Sequence, residues 1–355
     1  MIENEAEANA WLRLHLTHGI GISKILLLLR HFQSPEAVLN ASLQSLQKIV
    51  GEPSAQALHS GVNTRLFQTT KAWLKEEGHW ILTLADPDYP QELLHLVDPP
   101  IVLYGLGQKA LLQQKAVAIV GSRQVTPYGK KIAFDFANTL AKNGLSIVSG
   151  LAAGVDTAAH EGSLEEGKTI AVLGTGIDTI YPPANKTLAS RIVEHGVLLT
   201  EFPLNTPPKA ENFPRRNRLI AALAKAVVVV EAKMKSGSLI TARLAGELGR
   251  DVFAVPGSIY APTSEGCHQL IKDGALLCTS PEDILFTLGI QHDAHKKAPA
   301  NDDPLLHAIG FTPEPLDMIA ARLKCDPATI FSDLLRLEMA GFVLALPGGR
   351  YQRVA

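Results

Sequence analysis

Six short apolar runs in the middle of the chain constrain its fold more than any other feature. Each run is continuously apolar, which is typical of strands buried on both faces of a parallel sheet. The runs are AVAIV at 116–120, LSIVS at 145–149, TIAVL at 169–173, VLLT at 197–200, AVVVV at 226–230 and VFAV at 252–255. Helical stretches separate them, such as 128–143, which stops before Gly144. This alternation predicts a doubly wound α/β fold with a mostly parallel sheet.

Ligands of such sheets bind beyond the carboxyl ends of the strands, so the residues after each run are candidate site residues. Glycine, serine or a charged residue follows every run. Glycine lets a backbone N–H approach a phosphate, and the N-terminus of the next helix favours an anion. The candidates are Gly121, Ser122, Arg123, Gly150, Lys186, Ser236, Gly237 and Ser238. Because these residues meet at one edge, they predict an anionic ligand.

Two common nucleotide-binding motifs do not fit. Gly174-Thr175-Gly176 lacks the third glycine of G-x-G-x-x-G, since Thr179 holds its place, which disfavours NAD. The chain also lacks G-x-x-x-x-G-K-[ST], so it is not a P-loop ATPase.

Cations are concentrated in residues 209–225, which have a net charge of +4 in a chain of net charge −2. Cations on several loops suit a polyanion, and Tyr181, Phe202 and Phe213 could stack on exposed bases or belong to the core. We expect the polar residues of this segment to share one exposed helix end; the alternative is an ordinary solvated helix face. The segment holds Lys209, Arg215, Arg216, Asn217, Arg218 and Lys225.

Catalytic and metal-binding patterns are weak. Asp156 and His160 could orient each other at i and i+4, and a hydrolase would need Ser149 as nucleophile. The favoured alternative is that Asp156 caps a helix and His160 is a satisfied core residue. The three cysteines lack metal-ligand spacing, so we expect no metal, no disulfide and no cofactor.

The chain divides into four parts by composition: a helical domain at 1–78, the α/β domain at 79–290, a linker at 291–303 and a small unit at 304–355. A Gly19-Ile20-Gly21 turn in the first part either grips a phosphate or joins two packed helices. Two further strands are expected, Trp80–Ala85 and Ile101–Tyr104. No apolar run is long enough for a membrane span or a signal peptide, which favours a soluble, cytoplasmic protein.

The α/β part closely resembles the DNA processing protein A (DprA/Smf) family. The matching strings include VGSR at 120–123, SGLAAGVDTAAH at 149–160, GTGIDTIYPPANKTL at 174–188, FPRRNRLIAAL at 213–223 and VVVVEAKMKSGSLITARLA at 227–245. The resemblance implies an extended Rossmann-like fold with a SAM-like N-terminal domain and a C-terminal winged helix. It also implies a homodimer without catalysis that binds single-stranded DNA, protects incoming strands in natural transformation and loads the recombinase RecA.

The family's motifs place its basic pocket on particular residues of this chain. Its G-S-R motif ends at Arg123, and its Y-P-x-x-N-K motif ends with Asn185 and Lys186. The matching string SGLAAG begins at Ser149. Its F-P-x-R-N-R segment falls on Phe213, Pro214, Arg216, Asn217 and Arg218. His268 stands where the family usually has Asn in G-x-N-x-L-I.

The C-terminal unit has the pattern of a winged helix, with helices at 315–323 and 327–340 and a turn at 347–349. The second helix has Asp333 and Glu338 against one cation, Arg336, so inserting it among phosphates would be unfavourable. We therefore expect this unit to contact protein, or DNA only through Arg350 and Arg353.

Two other functions remain as alternatives. A Rossmann-like phosphoribohydrolase would carry P-G-G-x-G-T-x-x-E after a late strand, but here Lys235–Thr241 has no Glu at that place. A regulator that binds duplex DNA through the winged helix is disfavoured by the acidity of its second helix.

Overall fold

The computed structural model describes residues 5–291 and 303–354. Six short helices come first, separated by turns of a few residues that hold glycine or a capping Ser or Asn: α1 (Glu5–Leu16), α2 (Ile22–Phe32), α3 (Pro35–Leu39), α4 (Leu43–Val50), α5 (Glu52–Ser60) and α6 (Thr64–Trp73). Lys24, the cation nearest the Gly19–Gly21 turn, donates a hydrogen bond to Ser54 Oγ at 2.7 Å. This internal use of Lys24 favours the packing role of the helical hairpin over a phosphate grip.

The α/β part follows with nine strands, all in one sheet. The strands are β1 (His79–Thr83), β2 (Val102–Gly107), β3 (Ala116–Val120), β4 (Ser146–Ser149), β5 (Thr169–Val172), β6 (Val197–Thr200), β7 (Ala226–Val229), β8 (Asp251–Ala254) and β9 (Leu276–Leu277). The helices are α7 (Pro127–Lys142), α8 (Val155–Leu164), α9 (Lys186–His195), α10 (Asn212–Leu223), α11 (Gly237–Glu247), α12 (Glu265–Lys272) and α13 (Pro281–Thr287). All six apolar runs form strands, with bounds that differ by a residue at most.

The sheet has the order β1-β2-β6-β5-β4-β3-β7-β8-β9. β1 pairs antiparallel with β2, and β2 pairs antiparallel with β6. The other seven strands, which follow in the sheet as β6, β5, β4, β3, β7, β8 and β9, are parallel to one another. Alternate residues of the central strand face opposite layers: Ala118 and Val120 pack with α10 and α11, whereas Val117 and Ile119 pack with α7 and α8. The predicted doubly wound, mostly parallel α/β fold is confirmed. The strand order reverses beside β3, where such sheets bind ligands.

The C-terminal unit is a small winged helix. It contains α14 (Pro304–Ala308), β10 (Glu314–Pro315), α15 (Leu316–Leu323), α16 (Phe331–Met339), β11 (Val343–Leu346) and β12 (Arg350–Arg353). A 3₁₀ turn at Pro327–Ile330 precedes α16, so the second predicted helix begins later as an α-helix than expected. The Phe311 ring lies 5.5 Å from the Tyr128 ring of α7, so the unit packs against the α/β part.

Most of the predicted linker at 291–303 lies outside the described residues, and the domain boundaries stay predictions. Within residues 5–291 and 303–354, no helix combines the length and apolarity needed to cross a bilayer. The same residues contain no group of three or more His, Cys, Asp or Glu that could hold a metal ion.

Candidate nucleic-acid interface

A cleft of about 670 Å³ opens at the carboxyl ends of β3, β4 and β7, where the strand order reverses. Its position follows from the fold, because the loops after parallel strands meet at one edge. Most of the predicted site residues meet there or in the adjoining pocket. Those that line these two spaces are Gly121, Arg123, Gly150, Phe213, Arg216, Asn217, Ser236, Gly237 and Ser238.

One wall of the cleft combines a cation with two aromatic rings. The Arg123 guanidinium lies 5.5 Å from the centre of the Phe213 ring, and the Tyr181 ring lies 5.6 Å from the same ring. Arg123 is exposed, and no described carboxylate lies within ion-pair distance of it. This wall can therefore hold a phosphate and stack a base at once, which single-stranded nucleic acid requires.

The opposite wall is the loop from Lys235 to Ser238 at the start of α11. Ser236 Oγ accepts a hydrogen bond from Ser238 N, and Asn217 Nδ2 donates to Gly237 O at 3.2 Å. A side chain at Gly237 would meet no other atom within 4 Å, so the backbone here is open to a ligand. The positive end of the α11 dipole, beside Lys235, favours an anion here.

Arg216 lies beneath the cleft and is only 4% exposed. Its guanidinium donates to Gly150 O at 2.6 Å and to Val172 O, which ties the ends of β4 and β5 together. Gly150 allows this contact, since a Cβ there would lie 2.5 Å from a guanidinium nitrogen. Burial lowers the pKa of Arg216 to about 10, so the side chain stays cationic. Arg216 thus braces the cleft floor and adds positive charge from below.

The prediction that the polar residues of α10 share one exposed end is wrong, because Arg216 and Arg218 are buried while Arg215 stays exposed. Arg218 is buried, and its guanidinium lies 2.6 Å from the buried Glu201 carboxylate. Arg215 lies 2.9 Å from the same carboxylate and stacks over Phe202, so neither ring nor charge faces the cleft. Lys225 pairs with Glu92. The buried Glu201 carboxylate collects Arg215 and Arg218, because an unpaired charge inside a protein is costly.

Four other predicted residues lie outside the cleft lining. Ser149 is fully buried and donates to Ile119 O, while Ser122 Oγ accepts from Gln124 N. Asn185 is also buried, and its amide donates to Leu151 O at 2.9 Å and to Thr157 Oγ1. These three side chains are engaged in shaping the loops rather than being free for a ligand. Lys186 is exposed at the start of α9.

The Asp156 and His160 pair does not form a catalytic arrangement. Asp156 accepts hydrogen bonds from Gly150 N and Ala152 N, and burial raises the pKa of its carboxyl. His160 Nδ1 lies 2.7 Å from Thr169 Oγ1, and burial lowers the pKa of His160 to about 3. Asp156 lies within the first turn of α8, whose N-cap is Gly154, so it braces the loop before the helix rather than capping it.

Sequence reasoning missed Lys235 and Ala152 as cleft residues. Lys235 directly precedes the predicted Ser236-Gly237-Ser238 loop, so its position after β7 was an available signal. Ala152 carries no chemical signal, because it contributes shape alone.

A cleft at the strand ends of a doubly wound sheet, beside a winged helix, defines a Rossmann-like protein with an appended winged-helix domain. The chain belongs to the DNA recombination-mediator protein A family, whose model matches residues 80–289. The model of the DprA winged helix domain matches residues 292–349.

Curated relatives and solved structures agree with this membership. Protein Smf of Escherichia coli is 42% identical over 297 residues, which are 79% of each chain. The X-ray structure of DprA from Streptococcus pneumoniae superimposes with a TM-score of 0.70 at 38% identity, covering 78% of this chain and 97% of that one. A DprA structure from Helicobacter pylori, titled for its single-stranded DNA binding mode, gives a TM-score of 0.54 at 37% identity, covering 59% and 95%.

Proposed function

We propose that this protein binds single-stranded DNA in the cleft between Arg123 and the Lys235–Ser238 loop. The supporting observation is the Arg123 guanidinium over the half-buried Phe213 ring, opposite an open helix N-terminus. One wall then holds the bases by stacking, and the other holds a phosphate. Paired bases in a duplex cannot reach a stacking surface, so the arrangement favours a single strand.

The finer role we propose is that of a recombination mediator. The protein would protect incoming strands during natural transformation and load RecA onto them, as its family resemblance implies. We also propose that it works as a homodimer. Edge strand β9 exposes Leu276 and Leu277, and an unpaired apolar edge is a surface that a second copy would cover.

We propose no catalytic activity, against the phosphoribohydrolase alternative. The carboxylate closest to the cleft, Asp156, already accepts two backbone hydrogen bonds and has no exposed histidine beside it. Incubation with nucleoside monophosphates should release no free base, whereas base release would support the enzyme alternative.

Reversing two exposed cations tests the DNA site. Arg123→Glu with Lys235→Glu should weaken binding of an oligothymidylate by at least about tenfold, because one exposed cation on each wall of the cleft becomes an anion. Fluorescence anisotropy at fixed salt measures the affinity, and the melting temperature should not change because both side chains are exposed.

The matched control is Lys48→Glu with Lys142→Glu. Both lysines are exposed, and Lys142 ends α7 at the opposite edge of the sheet. This control changes the net charge equally and should bind as the wild type does. Equal losses of affinity in both double variants would show that net charge alone explains the effect, and would refute the cleft as the binding site.

A further inference from the structure

The loop after β8 presents two large side chains to solvent at the edge that carries the cleft. Tyr260 is 89% exposed and Ile259 is 76% exposed. The loop follows a strand parallel to β3 and β7, so it leaves the sheet at the same edge as the cleft loops. A tyrosine so fully exposed beside a candidate nucleic-acid site provides an aromatic face that no intramolecular contact uses.

The loop that carries Tyr260 is braced by hydrogen bonds. Ala261 N donates to Ser258 O at 3.0 Å, and Thr263 O accepts from Ala232 N at 2.8 Å. His268, at the position where the family usually has Asn, places Nε2 3.0 Å from Gly257 O. The exposed tip is therefore held by its own turns, by the β7 loop and by α12. A stacking surface held in this way costs little ordering entropy when a base binds.

Two lysines lie between the cleft and this tip in the order of the strands. Lys233 and Lys235 belong to the loop after β7, and Lys235 also lines the cleft. Both are exposed, and neither has an ion-pair partner among the described residues. The nearby Glu231 carboxylate accepts hydrogen bonds from Thr126 N and Oγ1, which engages its charge elsewhere. The surface between the ends of β7 and β8 therefore carries positive charge from two lysines without ion-pair partners among the described residues.

The strand order sets the length of this path. β8 lies two positions from β3, which is about 10 Å at the usual spacing of adjacent strands. A single strand can cross that distance without leaving the surface of the protein. We propose that single-stranded DNA leaving the cleft crosses Lys233 and Lys235 and stacks a base on Tyr260. This extension rests on the proposed function of the cleft and lengthens its site by the surface between β7 and β8.

Oligonucleotide length separates the extension from the cleft. The full-length protein is titrated with oligothymidylates of about 4 and about 12 nucleotides, the shorter filling the cleft alone. Tyr260→Ala should weaken binding of the longer oligonucleotide at least about fivefold and leave the shorter unchanged, because it removes one stacked base. Tyr260→Phe should restore the affinity. Lys233→Gln with Lys235→Gln should lower the salt dependence of binding the longer one, by about 0.7 in slope for each phosphate that is no longer neutralised.

A matched control is Phe286→Ala. Phe286 is 87% exposed on α13, which follows none of the strands that line the cleft, so its removal should affect neither length. The extension would be overturned if Tyr260→Ala bound both oligonucleotides as tightly as the wild type does. It would also be overturned if the variant lost the same affinity for both lengths. Phe213→Ala distinguishes the two proposals. If it leaves both lengths bound as before, the cleft itself is not the site; if it weakens both while Tyr260→Ala weakens neither, the extension alone fails.

Discussion

The strand-end edge of the sheet and the second helix of the winged helix use charge in opposite ways. At the edge, Arg123 and Lys235 stand exposed beside an aromatic ring. On α16, Arg336 is bound by Asp303 and Asp333. One exposed stripe of α16 is apolar, since Phe331, Leu335 and Met339 are each more than half exposed at helical spacing. The number of cations therefore says less about DNA binding than whether each cation is already paired.

The contact between the winged helix and the α/β part leaves the apolar stripe of α16 uncovered. The winged helix packs on the α/β part through Phe311, which contacts Tyr128 and lies under Arg353. A space of about 450 Å³ between the two parts is lined by Gly257 and Leu346, among other residues. The apolar stripe of α16 is not part of this contact and stays exposed.

The largest expected effect comes from removing the brace beneath the edge. Arg216→Ala leaves Gly150 O and Val172 O without a donor and Asp156 without its neighbouring charge. Breaking a buried charged network costs about 3–5 kcal/mol. Urea denaturation should show that loss, whereas Arg123→Ala, at the exposed rim, should change the free energy of unfolding by less than about 0.5 kcal/mol. Similar losses of unfolding free energy in both variants would show that Arg216 stabilises the fold no more than the exposed Arg123 does.

Acid should weaken the fold through two histidines, one in the α/β part and one in α1. Burial lowers the pKa of His160 to about 3 and that of His15 to about 4, whereas each titrates near 6.5 when unfolded. The unfolded chain therefore binds more protons below pH 6.5, and stability falls as the pH falls from 6.5 towards these values. At pH 5 the loss is about 2 kcal/mol for each histidine.

Tryptophan fluorescence can follow this acid effect, because Trp11, Trp73 and Trp80 all precede the winged helix in the chain. The free energies of unfolding from urea titrations at pH 7 and pH 5 should differ by the amount stated. His160→Asn should flatten the dependence on pH whatever its effect at pH 7. An unchanged slope in that variant would contradict the assignment to His160.

The smallest expected effect comes from removing the winged helix. Deleting residues 304–355 should leave affinity for single-stranded DNA within about tenfold of the full chain, which is about 1.4 kcal/mol. The reason is that the cleft and its exposed cations lie entirely within the α/β part. A larger loss, measured by anisotropy under the same salt conditions, would show that Arg350 or another winged-helix residue contacts the strand.

Periodicity alone predicted the sheet well, because a strand buried on both faces leaves an unambiguous apolar run. It placed Arg123, Phe213 and Ser236–Ser238 at one edge, since the carboxyl ends of parallel strands must converge. It failed on Arg216 and Arg218. Four polar residues in a row on α10 cannot all face solvent on a helix packed against a sheet. The partner that draws Arg218 inwards, Glu201, lies directly after β6, several turns of chain before α10 begins.

The sequence also did not reveal which polar side chains hold the loops together instead of facing the cleft. Asn185 and Ser149 belong to strings shared with the family, but a shared string does not distinguish a residue that contacts a ligand from one that shapes the loop. The hydrogen bonds to Leu151 O and Ile119 O make that distinction, and they depend on pairs of residues about 30 positions apart.

The pairing of β3 with β7 has a consequence for synthesis of the chain. Val117 lies beside Ala226, so the central strand waits for a partner about 110 positions later in the sequence. The cleft draws on residues from Val120 to Thr241. At about 5–20 residues per second, a ribosome needs roughly 6–24 s to pass from one to the other. During that interval the nascent protein has Arg123 but no finished cleft, so the proposed binding site forms only when the sheet is almost complete.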